Sequence, residues 1–292
     1  MNNSKKISVL MPVYNTKEEF LRTAIESILN QTYSNFEFII INDGSTNNAE
    51  DVILSYKDER IVYLKQENKG IVSALNNGWD KASGEYIARM DSDDISLSER
   101  FEKQIEFLEN NSEYSLVGTA VEVIPKGFII KSPTDVKLMD LLADCPFIQP
   151  SIMFRKSDFD KYNLRYLDNF NVAEDYMLYA KAIRYLKMTN IPNILLKYRI
   201  HSKNTTSTKK EEVVKNSFIV QDLILDYMSS NPDERKMLLD LAYKNKAKRN
   251  NITEKIFSLK NLYKNWTKYK LITILGCEFY LKSKTYVKNN PV

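Results

Sequence analysis

The sequence predicts an α/β fold in which helices flank a mostly parallel sheet. Over the first hundred residues, short apolar runs typical of buried strands alternate with segments whose apolar residues recur at helical spacing. Polar turn residues follow several of these strands, and the chain from residue 206 onward has a helical pattern. This alternation is typical of βαβ units, so we expect one sheet with a helical C-terminal extension.

The first ninety residues contain four of the predicted strands. The run at 7–13 is typical of a buried strand, and the segment 17–29 carries an apolar stripe that includes Phe20, Leu21 and Ile25. The same alternation then predicts strands at 36–41, 61–65 and 86–90, and helices at 49–56 and 72–82.

Beyond residue 95 the pattern is less regular. We expect a helix up to residue 110, a strand at 115–124, a hairpin near 126–127, a further segment at 147–155 and a helix at 173–185. Residues 202–210 are polar and are predicted to be a linker.

Composition excludes several classes of protein. Only 7 of the 292 residues are glycine, and neither the dinucleotide fingerprint nor the P-loop pattern occurs. Cys145 and Cys277 are far apart and form no CxxC pair, so we expect a reducing compartment and no structural zinc. His201 is the only histidine, which excludes a multi-histidine metal site. No export signal or membrane-spanning run is visible, so a cytoplasmic location is expected.

Charge is distributed unevenly along the chain. The net charge is +4, but residues 206–292 carry 17 Lys and Arg against 9 Asp and Glu. Between Lys244 and Lys288 there are 12 basic and 2 acidic residues. Aromatic residues are interleaved with them, among them Tyr263, Trp266, Tyr269, Phe279 and Tyr280. Such a segment is typical of an interfacial anchor on anionic lipid, and equally of a helical lid or dimer contact with a solvated basic face. No nucleic-acid recognition motif accompanies the charge.

The strongest chemical signal is an acidic cluster after the predicted strand at 86–90. Asp91, Asp93 and Asp94 place three carboxylates within four residues, and like charges this close repel unless a cation lies among them. Carboxylates at a strand end suit a hard divalent cation that also binds phosphate. From these residues alone, a solvated acidic loop or a helix N-terminus is an equally good interpretation.

Two other predicted strands end in polar turns. Residues 12–15 read Pro-Val-Tyr-Asn, and residues 43–45 read Asp-Gly-Ser. Ligands of such sheets bind beyond the carboxyl ends of the strands. We therefore expect these two turns and the acidic cluster to line one cleft.

Six segments in order resemble the motifs of family-2 glycosyltransferases with the GT-A fold. They lie at 8–15, 39–46, 67–71, 84–94, 173–176 and 198–201, and the resemblance covers residues 7–205. It implies a Rossmann-like catalytic domain at 1–205, with a nucleotide-sugar half at 1–95 and an acceptor half at 96–205. A basic helical region at 206–292 would follow.

The resemblance assigns a nucleotide to the first half of that domain. Tyr14 would lie against a uracil, and Asp43 would accept a hydrogen bond from its N3–H, although an Asp also suits a type I turn there. The other residues expected around the nucleotide are Pro12, Asn68, Lys69 and Arg89. For the two basic residues of this set, an exposed surface charge is an equally good interpretation.

The resemblance also divides the acidic cluster. Asp93 corresponds to the metal ligand, and Asp91 corresponds to the residue that contacts ribose or metal-bound water. The implied cofactor is Mn²⁺ or Mg²⁺, which bridges the two phosphates of the donor. Asp94 is expected to cap the next helix. His201 resembles a histidine that reaches the metal or pyrophosphate and Arg199 an arginine on phosphate, although a lone histidine is more often a surface or packed residue.

A second acidic pair, Glu174–Asp175, matches the position of the family's catalytic base. The resemblance implies that Asp175 deprotonates the acceptor hydroxyl, and that Glu174 lies near the substrate or raises the pKa of its neighbour. By itself the pair also fits the acidic first turn of a helix. Gln149 stands where family members often carry His, which leaves an acceptor contact there open.

Together these motifs imply an inverting, metal-dependent transferase that moves a hexose or N-acetylhexosamine from a UDP-sugar. The implied acceptor is a lipid-linked or growing surface glycan such as capsule, O-antigen or exopolysaccharide. A peripheral position on the inner face of the membrane would suit such an acceptor; nucleic acid is not expected, and the oligomeric state stays open.

Three other classes of protein were weighed against this one. A non-catalytic scaffold or complex subunit of the same fold is disfavoured by the presence of Asp93 and Asp175. A phosphatase of the haloacid dehalogenase type would need Asp-x-Asp-Gly-Thr near its first strand, whereas here Asp93 is followed by Asp94 and Ile95 after the fourth strand. A sugar-nucleotide pyrophosphorylase would need a Gly-rich loop after the first strand, where this chain has Pro-Val-Tyr-Asn at 12–15.

Overall fold

The computed structural model describes residues 5–168, 170–202, 204, 208–249, 270–274 and 277–281. The chain divides into two compact units, Met1–Ile224 and Leu225–Val292. The predicted boundary between a catalytic domain and a basic region at residue 205 stays a prediction.

A nine-stranded mixed sheet forms the centre of the first unit. Its strands are β1 (Ile7–Val13), β2 (Phe36–Asp43), β3 (Ile61–Gln66), β4 (Tyr86–Arg89), β5 (Ile95–Ser96), β6 (Tyr114–Ile124), β7 (Phe128–Ile130), β8 (Met153–Arg155) and β9 (Lys187–Arg199). They lie in the order β3-β2-β1-β4-β8-β6-β9-β5, with β7 paired to β6. The first four neighbours are parallel, as are β6 and β9, whereas β8, β5 and β7 pair antiparallel. The predicted α/β class is confirmed.

Helices connect and cover these strands. Those of the first unit are α1 (Glu18–Leu29), α2 (Ala49–Leu54), α3 (Ile71–Lys81), α4 (Arg100–Asn110), α5 (Leu138–Ala143), α6 (Lys156–Lys161) and α7 (Glu174–Ala182), followed by α8 (Lys210–Met228). A short 3-10 helix spans Gln149–Ser151.

The second unit contains α9 (Pro232–Arg249) and an antiparallel pair, β10 (Lys270–Ile274) and β11 (Cys277–Leu281). The prediction of a helical C-terminal extension is therefore correct for 210–249 but wrong for these two strands. Ile272, Thr273 and Ile274 are β-branched, which favours strand over helix. No helix of the described residues is long and apolar enough to cross a membrane.

The central strands form because their side chains are apolar on both faces. β1 and β2 are buried along nearly their whole length, as expected of parallel strands covered on two sides. α1 packs Leu21, Ile25 and Ile28 into the core, and α3 buries Leu75 and Trp79. Each large apolar side chain buried in this way stabilises the fold by about 1.5–3 kcal/mol. This packing holds the strands in place, and with them the polar residues at the strand ends.

Candidate active site

Hydrogen bonds join the loops that follow β1, β2 and β4. The Asn15 backbone N–H donates to Ser45 Oγ at 3.1 Å, and the Thr46 backbone N–H donates to Asn15 Oδ1 at 2.8 Å. The hydroxyls of Thr16 and Ser92 lie 2.6 Å apart. The loops after the three strands therefore meet at one edge of the sheet, and that they line one cleft stays a prediction.

Asp43 holds the loop that leads into α3. Its Oδ1 accepts hydrogen bonds from Gln66 Nε2 at 2.7 Å and from the Lys69 N–H at 2.9 Å, and its Oδ2 accepts one from the Gly70 N–H at 3.0 Å. A carboxylate oxygen has two acceptor sites, so Oδ2 keeps one for a ligand. Asp43 as a whole residue is only 4% exposed.

The turn after β2 depends on the residues on either side of Asp43. Asn42 Oδ1 accepts the Ser45 N–H at 2.9 Å, so Asn42 rather than Asp43 closes the turn with its side chain. Gly44 adopts φ +70°, and a Cβ at this position would lie 2.6 Å from the Asn68 nitrogen. Only glycine therefore allows the turn to approach the 67–70 loop this closely.

The other residues expected around a nucleotide border the same loops. Pro12 is partly buried in β1, opposite Ile41 of β2. Tyr14 is 52% exposed, so its ring is accessible for stacking. Asn68 and Lys69 are exposed. Their roles as ligand contacts stay predictions.

The acidic cluster brings three carboxylates together after β4. One oxygen from each of Asp91, Asp93 and Asp94 lies within 4.8 Å of the others. Burial and the charge of Asp91 raise the pKa of Asp93, although His201 opposes the shift. Burial, Asp91 and Asp93 raise the pKa of Asp94 well above its usual value. A divalent cation would relieve this repulsion, so the oxygen donors fit a hard metal ion.

Asp94 does not cap the next helix, and that prediction is wrong. Its Oδ1 accepts the backbone N–H of Arg199 at 2.7 Å, which ties the cluster to the end of β9. Ile95 pairs with Lys197 of β9, so the chain continues as a strand, and α4 begins only at Arg100. Asp94 Oδ2 is buried and has no hydrogen-bond partner among the described residues.

The end of β9 brings His201 and Arg199 to the cluster. His201 Nε2 lies 2.8 Å from Asp93 Oδ2, and Arg199 Nε donates to the Asp93 carbonyl at 2.6 Å. Phe20 of α1 supports both residues: its ring centroid is 5.7 Å from the His201 ring and 4.3 Å from the Arg199 guanidinium. Both residues therefore lie where a metal or phosphate contact is predicted.

Arg89 is fully buried, so the interpretation of this residue as an exposed surface charge is wrong. Its Nη1 donates to the carbonyls of Leu10 and Met90, and its Nη2 donates to Asp91 Oδ1 at 2.6 Å and to Gln149 Oε1 at 3.3 Å. Burial opposes its charge, but Asp91 and other acidic neighbours outweigh that effect and raise its pKa. The buried Arg89 thus orients the Asp91 carboxylate through this hydrogen bond.

The second acidic pair begins α7. Glu174 follows Ala173, which adopts a left-handed φ of 58°, and Glu174 is only 7% exposed. Burial and the neighbouring Asp175 raise the pKa of Glu174 to about 8. Burial also raises the pKa of Asp175, to about 6. A carboxyl group with such a pKa is suited to accept a proton near neutral pH.

The two oxygens of Asp175 have different surroundings. Oδ1 accepts the Tyr176 N–H at 2.7 Å, whereas the Cys145 thiol lies 3.9 Å from Oδ2. Burial raises the pKa of Cys145 well above its usual value, so the thiol stays protonated and can donate.

Sequence reasoning missed several groups beside this pair, namely Cys145, Tyr166 and Tyr179. Tyr179 is fully buried and lies four residues after Asp175, so the helical i,i+4 spacing could have identified it. Cys145 and Tyr166 come from irregular segments, where no local spacing indicates that they approach α7.

In comparisons with known proteins, residues 8–185 match the family model "Glycosyl transferase family 2". A relative from Escherichia coli, named a UDP-Glc:alpha-D-GlcNAc-diphosphoundecaprenol beta-1,3-glucosyltransferase, is 29% identical over 223 residues. That match covers 74% of this chain and 86% of the relative.

Two solved structures share the fold at low sequence identity. Residues 1–349 of S. aureus TarS with UDP-GlcNAc match with a TM-score of 0.68 and 15% identity, over 83% of this chain and 72% of that one. A mannosyltransferase from Pyrobaculum calidifontis with GDP-Man and Mn²⁺ matches with a TM-score of 0.61 and 14% identity, over 88% and 77%. At such identities the likeness shows the fold alone.

Proposed function

The chain belongs to glycosyl transferase family 2 and is a glycosyltransferase of the GT-A fold; from this premise we propose which substrates it joins. The donor is a UDP-linked hexose or N-acetylhexosamine. The acceptor is a lipid-linked or growing surface glycan. Transfer inverts the anomeric carbon and requires Mn²⁺ or Mg²⁺.

The observation that carries this proposal is that two clusters of carboxylates, one with Asp91 and one with Glu174, both lie close to Arg89. Asp91 of the first group accepts a hydrogen bond from Arg89 at 2.6 Å, and Glu174 of the second lies close enough to affect the pKa of Arg89. The first group has the donor set of a hard cation, and the second includes Asp175, whose pKa of about 6 suits a base. Transfer of a sugar from a diphosphate to a hydroxyl uses a cation at the diphosphate and a base at the hydroxyl, and the two clusters supply one each.

A UDP-linked donor is supported by the loops beyond β1 and β2. The exposed Tyr14 ring offers a stacking surface, and Asp43 Oδ2 retains one acceptor site for an imide N–H. The TarS structure contains UDP-GlcNAc, and the E. coli relative is named for UDP-Glc. Both examples are uridine diphosphate sugars, which is consistent with the class of donor proposed for this chain.

The metal would be held by Asp93, with His201 at its side and Asp91 contacting it directly or through water. When bound, the cation neutralises the charge that develops on the departing diphosphate. Arg89 holds Asp91 in place by a 2.6 Å hydrogen bond, and Arg199 holds the Asp93 backbone through a 2.6 Å hydrogen bond. The cluster is therefore pre-organised by two arginines of the protein itself, the buried Arg89 and the partly buried Arg199.

Asp175 acts as the general base. Oδ1 accepts the Tyr176 N–H, and Oδ2 lies 3.9 Å from the Cys145 thiol. Because each carboxylate oxygen has two acceptor sites, each keeps one, and one of the two oxygens takes the proton of the acceptor hydroxyl. The acceptor oxygen then forms a bond to the anomeric carbon as the bond from that carbon to the phosphate oxygen breaks. The electron pair leaves with UDP, and attack from the opposite face inverts the configuration.

A lipid-linked acceptor and a peripheral membrane position belong to the same proposal. The E. coli relative is named for a diphosphoundecaprenol-linked substrate, and residues 244–288 are strongly basic. Of the aromatic residues in that segment, Tyr263, Trp266 and Tyr269 lie outside the described residues. A lid or dimer contact is the alternative role for this segment, and the peripheral position on the inner face of the membrane applies only if the anchor role holds.

A donor screen tests the proposed function. Release of UDP is measured from UDP-Glc, UDP-Gal, UDP-GlcNAc and UDP-GalNAc, each with Mn²⁺ or Mg²⁺ and a GlcNAc-diphosphate-polyprenol acceptor. We expect one donor to turn over well above the others, and only when metal is present. If neither these nor other nucleotide sugars turn over, the chain is a non-catalytic member of its family, such as a scaffold in a glycan-assembly complex.

A further inference from the structure

Arg100, the first residue of α4, is fully buried next to the end of β4. Its Nη2 donates to the carbonyls of Arg89 at 2.7 Å and Ile152 at 3.1 Å, and its Nε donates to Gln104 Oε1 at 3.0 Å. Its Nη1 lies 3.8 Å from the sulfur of Met90. Within the described part of the chain, these partners of the Arg100 guanidinium are all neutral groups.

Gln104 lies one helical turn further along α4 and is also fully buried. Its Nε2 donates to the carbonyls of Val117 at 3.0 Å and Ser151 at 2.9 Å. The pairing of β8 with β4 and with β6 ends at Met153, so the carbonyls that α4 binds lie where the paired strands separate. Buried carbonyls need a donor, and two side chains of α4 supply it there.

The backbone held from α4 carries part of the acidic cluster and Gln149. Arg89 is the last residue of β4, and Asp91 follows it by two positions. The Arg89 guanidinium donates to Asp91 Oδ1 at 2.6 Å and to Gln149 Oε1 at 3.3 Å. Gln149 begins the 3-10 helix that ends at Ser151. Both residues of the Arg89–Gln149 hydrogen bond are therefore held through their own backbone segments from α4.

The charge of Arg100 connects it to the acidic cluster. Burial and the charge of Arg89 lower the pKa of Arg100 to about 9, while Asp94 and Asp91 oppose that effect. Arg100 therefore stays protonated near neutral pH. A neutral amide such as Gln104 binds carbonyls without the cost of burying a charge, so a charged residue at this position points to the carboxylates nearby.

The shape of the guanidinium suits the contacts that Arg100 makes. Its N–H groups lie in one rigid plane, whereas the ammonium of lysine is a compact donor on a flexible stem. Arg100 bridges the Arg89 carbonyl in β4, the Ile152 carbonyl before β8 and the Gln104 side chain. Lysine cannot hold all three groups in the same geometry.

We propose that Arg100 is a positioning residue for the acidic cluster: it fixes the end of β4 so that Arg89 and Asp91 stay in the geometry that binds the cation and the diphosphate. This inference rests on the proposed function, because the metal site belongs to that proposal.

The test uses two substitutions of Arg100 and a matched control. Arg100→Lys keeps the charge without the planar fork, and Arg100→Met keeps the length without charge or donor. Arg155→Met is the control, because Arg155 lies on β8 opposite Tyr86, at the start of β4, and donates to the carbonyl of Leu108 in α4. It removes a similar contact between strand and helix at the other end of β4. Thermal unfolding verifies that each variant is folded, and Arg100→Lys carries the test if Arg100→Met does not fold.

Calorimetry measures the affinity of each variant for UDP, once with Mn²⁺ and once with EDTA. With Mn²⁺, both Arg100 variants are expected to bind UDP about tenfold more weakly than the wild type, because the cation ligands lose their fixed geometry. With EDTA, their UDP affinity should stay within about twofold of the wild type, because the loops after β1 and β2 do not depend on Arg100. Arg155→Met should match the wild-type affinity in both conditions while losing thermal stability.

The inference is overturned if both Arg100 variants bind UDP like the control in the presence of Mn²⁺. It is also overturned if only Arg100→Met is weakened, since charge rather than geometry would then matter, or if UDP affinity falls equally with EDTA, since the whole fold would then be disturbed. Failure of the proposed function is a separate result: a wild-type chain whose UDP affinity does not respond to Mn²⁺ contradicts the proposed metal site and the inference together.

Discussion

At the scale of single residues, Asp93 and Asp175 are assigned to different steps. Asp93 lies in the acidic cluster, 2.8 Å from His201, and Asp175 lies on α7, where its Oδ1 accepts the Tyr176 N–H. The first residue is expected to act in donor binding and the second in proton transfer. Separate measurements of binding and transfer therefore distinguish them.

Asp93→Asn should weaken metal-dependent binding of the UDP-sugar by more than about tenfold, because the amide lacks the negative charge that attracts the cation. Titration calorimetry with and without Mn²⁺ measures this effect. Asp51→Asn, an exposed change on α2, is the control and should bind like the wild type. Equal metal-dependent binding by Asp93→Asn and the control would contradict the assignment.

Transfer should depend on pH through the ionisation of Asp175. A base acts only when it is unprotonated, and the pKa of Asp175 is raised to about 6. The rate constant kcat should therefore rise with pH through about 6 and level off above it. Steady-state rates from pH 4.5 to 8 measure this limb, and a midpoint near 4 would contradict the prediction.

Glu174→Gln separates the two carboxyl groups of the pair. Because the pKa of Glu174 is raised to about 8, its side chain is protonated where Asp175 titrates. The neutral Gln imitates that state, so the acidic limb should move by less than about half a pH unit. A downward shift of a full unit would mean that Glu174 is charged near pH 6.

Residues in contiguous motifs were predictable from the sequence, and residues brought in by tertiary packing were not. Asp91, Asp93 and Asp175 stand in motifs whose spacing is visible along the chain. Tyr166 reaches the site from an irregular segment, and the buried position of Arg89 depends on strands far from it in sequence. The local sequence predicts a helix cap for Asp94. It does not reveal the long-range hydrogen bond in which Asp94 accepts the Arg199 backbone N–H.

At the scale of elements, the turn after β2 depends on the absence of a side chain at Gly44. Gly44→Ala should strain the backbone at φ +70° and place its Cβ 2.6 Å from the Asn68 nitrogen. Displacement of the 67–70 loop would disturb Asp43, so UDP affinity should fall about tenfold or more. Calorimetry with UDP measures this change.

Gly127→Ala is the matched control for this substitution. Gly127 has nearly the same φ, +74°, but a Cβ there would meet nothing within 4 Å. Backbone strain should cost each variant about 1–2 kcal/mol of unfolding free energy. Gly44→Ala should lose more than Gly127→Ala because of its additional clash with the Asn68 backbone, and only Gly44→Ala should lose UDP affinity. Equal UDP affinities would contradict the role of the close approach.

The elements that sequence analysis identified are those with strong local periodicity. β1, β2, α1 and α3 agree with the predicted ranges to within a residue or two. β5 and β8 contain two and three residues, too few to show a period. Their existence depends on pairing with distant strands, which local pattern cannot express.

At the scale of the whole molecule, the uneven charge distribution predicts association with anionic lipid. The full chain should sediment with vesicles that contain phosphatidylglycerol and not with phosphatidylcholine vesicles, and added salt should weaken the association. A chain that ends at Arg249 should stay in the supernatant. Equal sedimentation of the two chains would remove the anchor role and leave the lid or dimer contact.

The order of strands in the sheet explains how residues far apart in sequence form one site. Parallel pairing of β2, β1 and β4 puts Asp43, Tyr14 and Asp91 at adjacent strand ends. The later strands β8 and β9 then add Gln149 and His201 from the other side. This arrangement was predictable for the parallel half of the sheet, whereas the antiparallel additions have no local signature.

The most direct test of the central claim compares Asp175→Asn with the wild-type chain. The substitution keeps the shape of the side chain and removes its ability to accept a proton. UDP-sugar affinity, measured by calorimetry with Mn²⁺, should stay within about twofold of wild type, while transfer should fall about 10²–10⁴-fold. Transfer at the wild-type rate, or an equal loss of donor affinity and transfer, would contradict the assignment of Asp175 as the base.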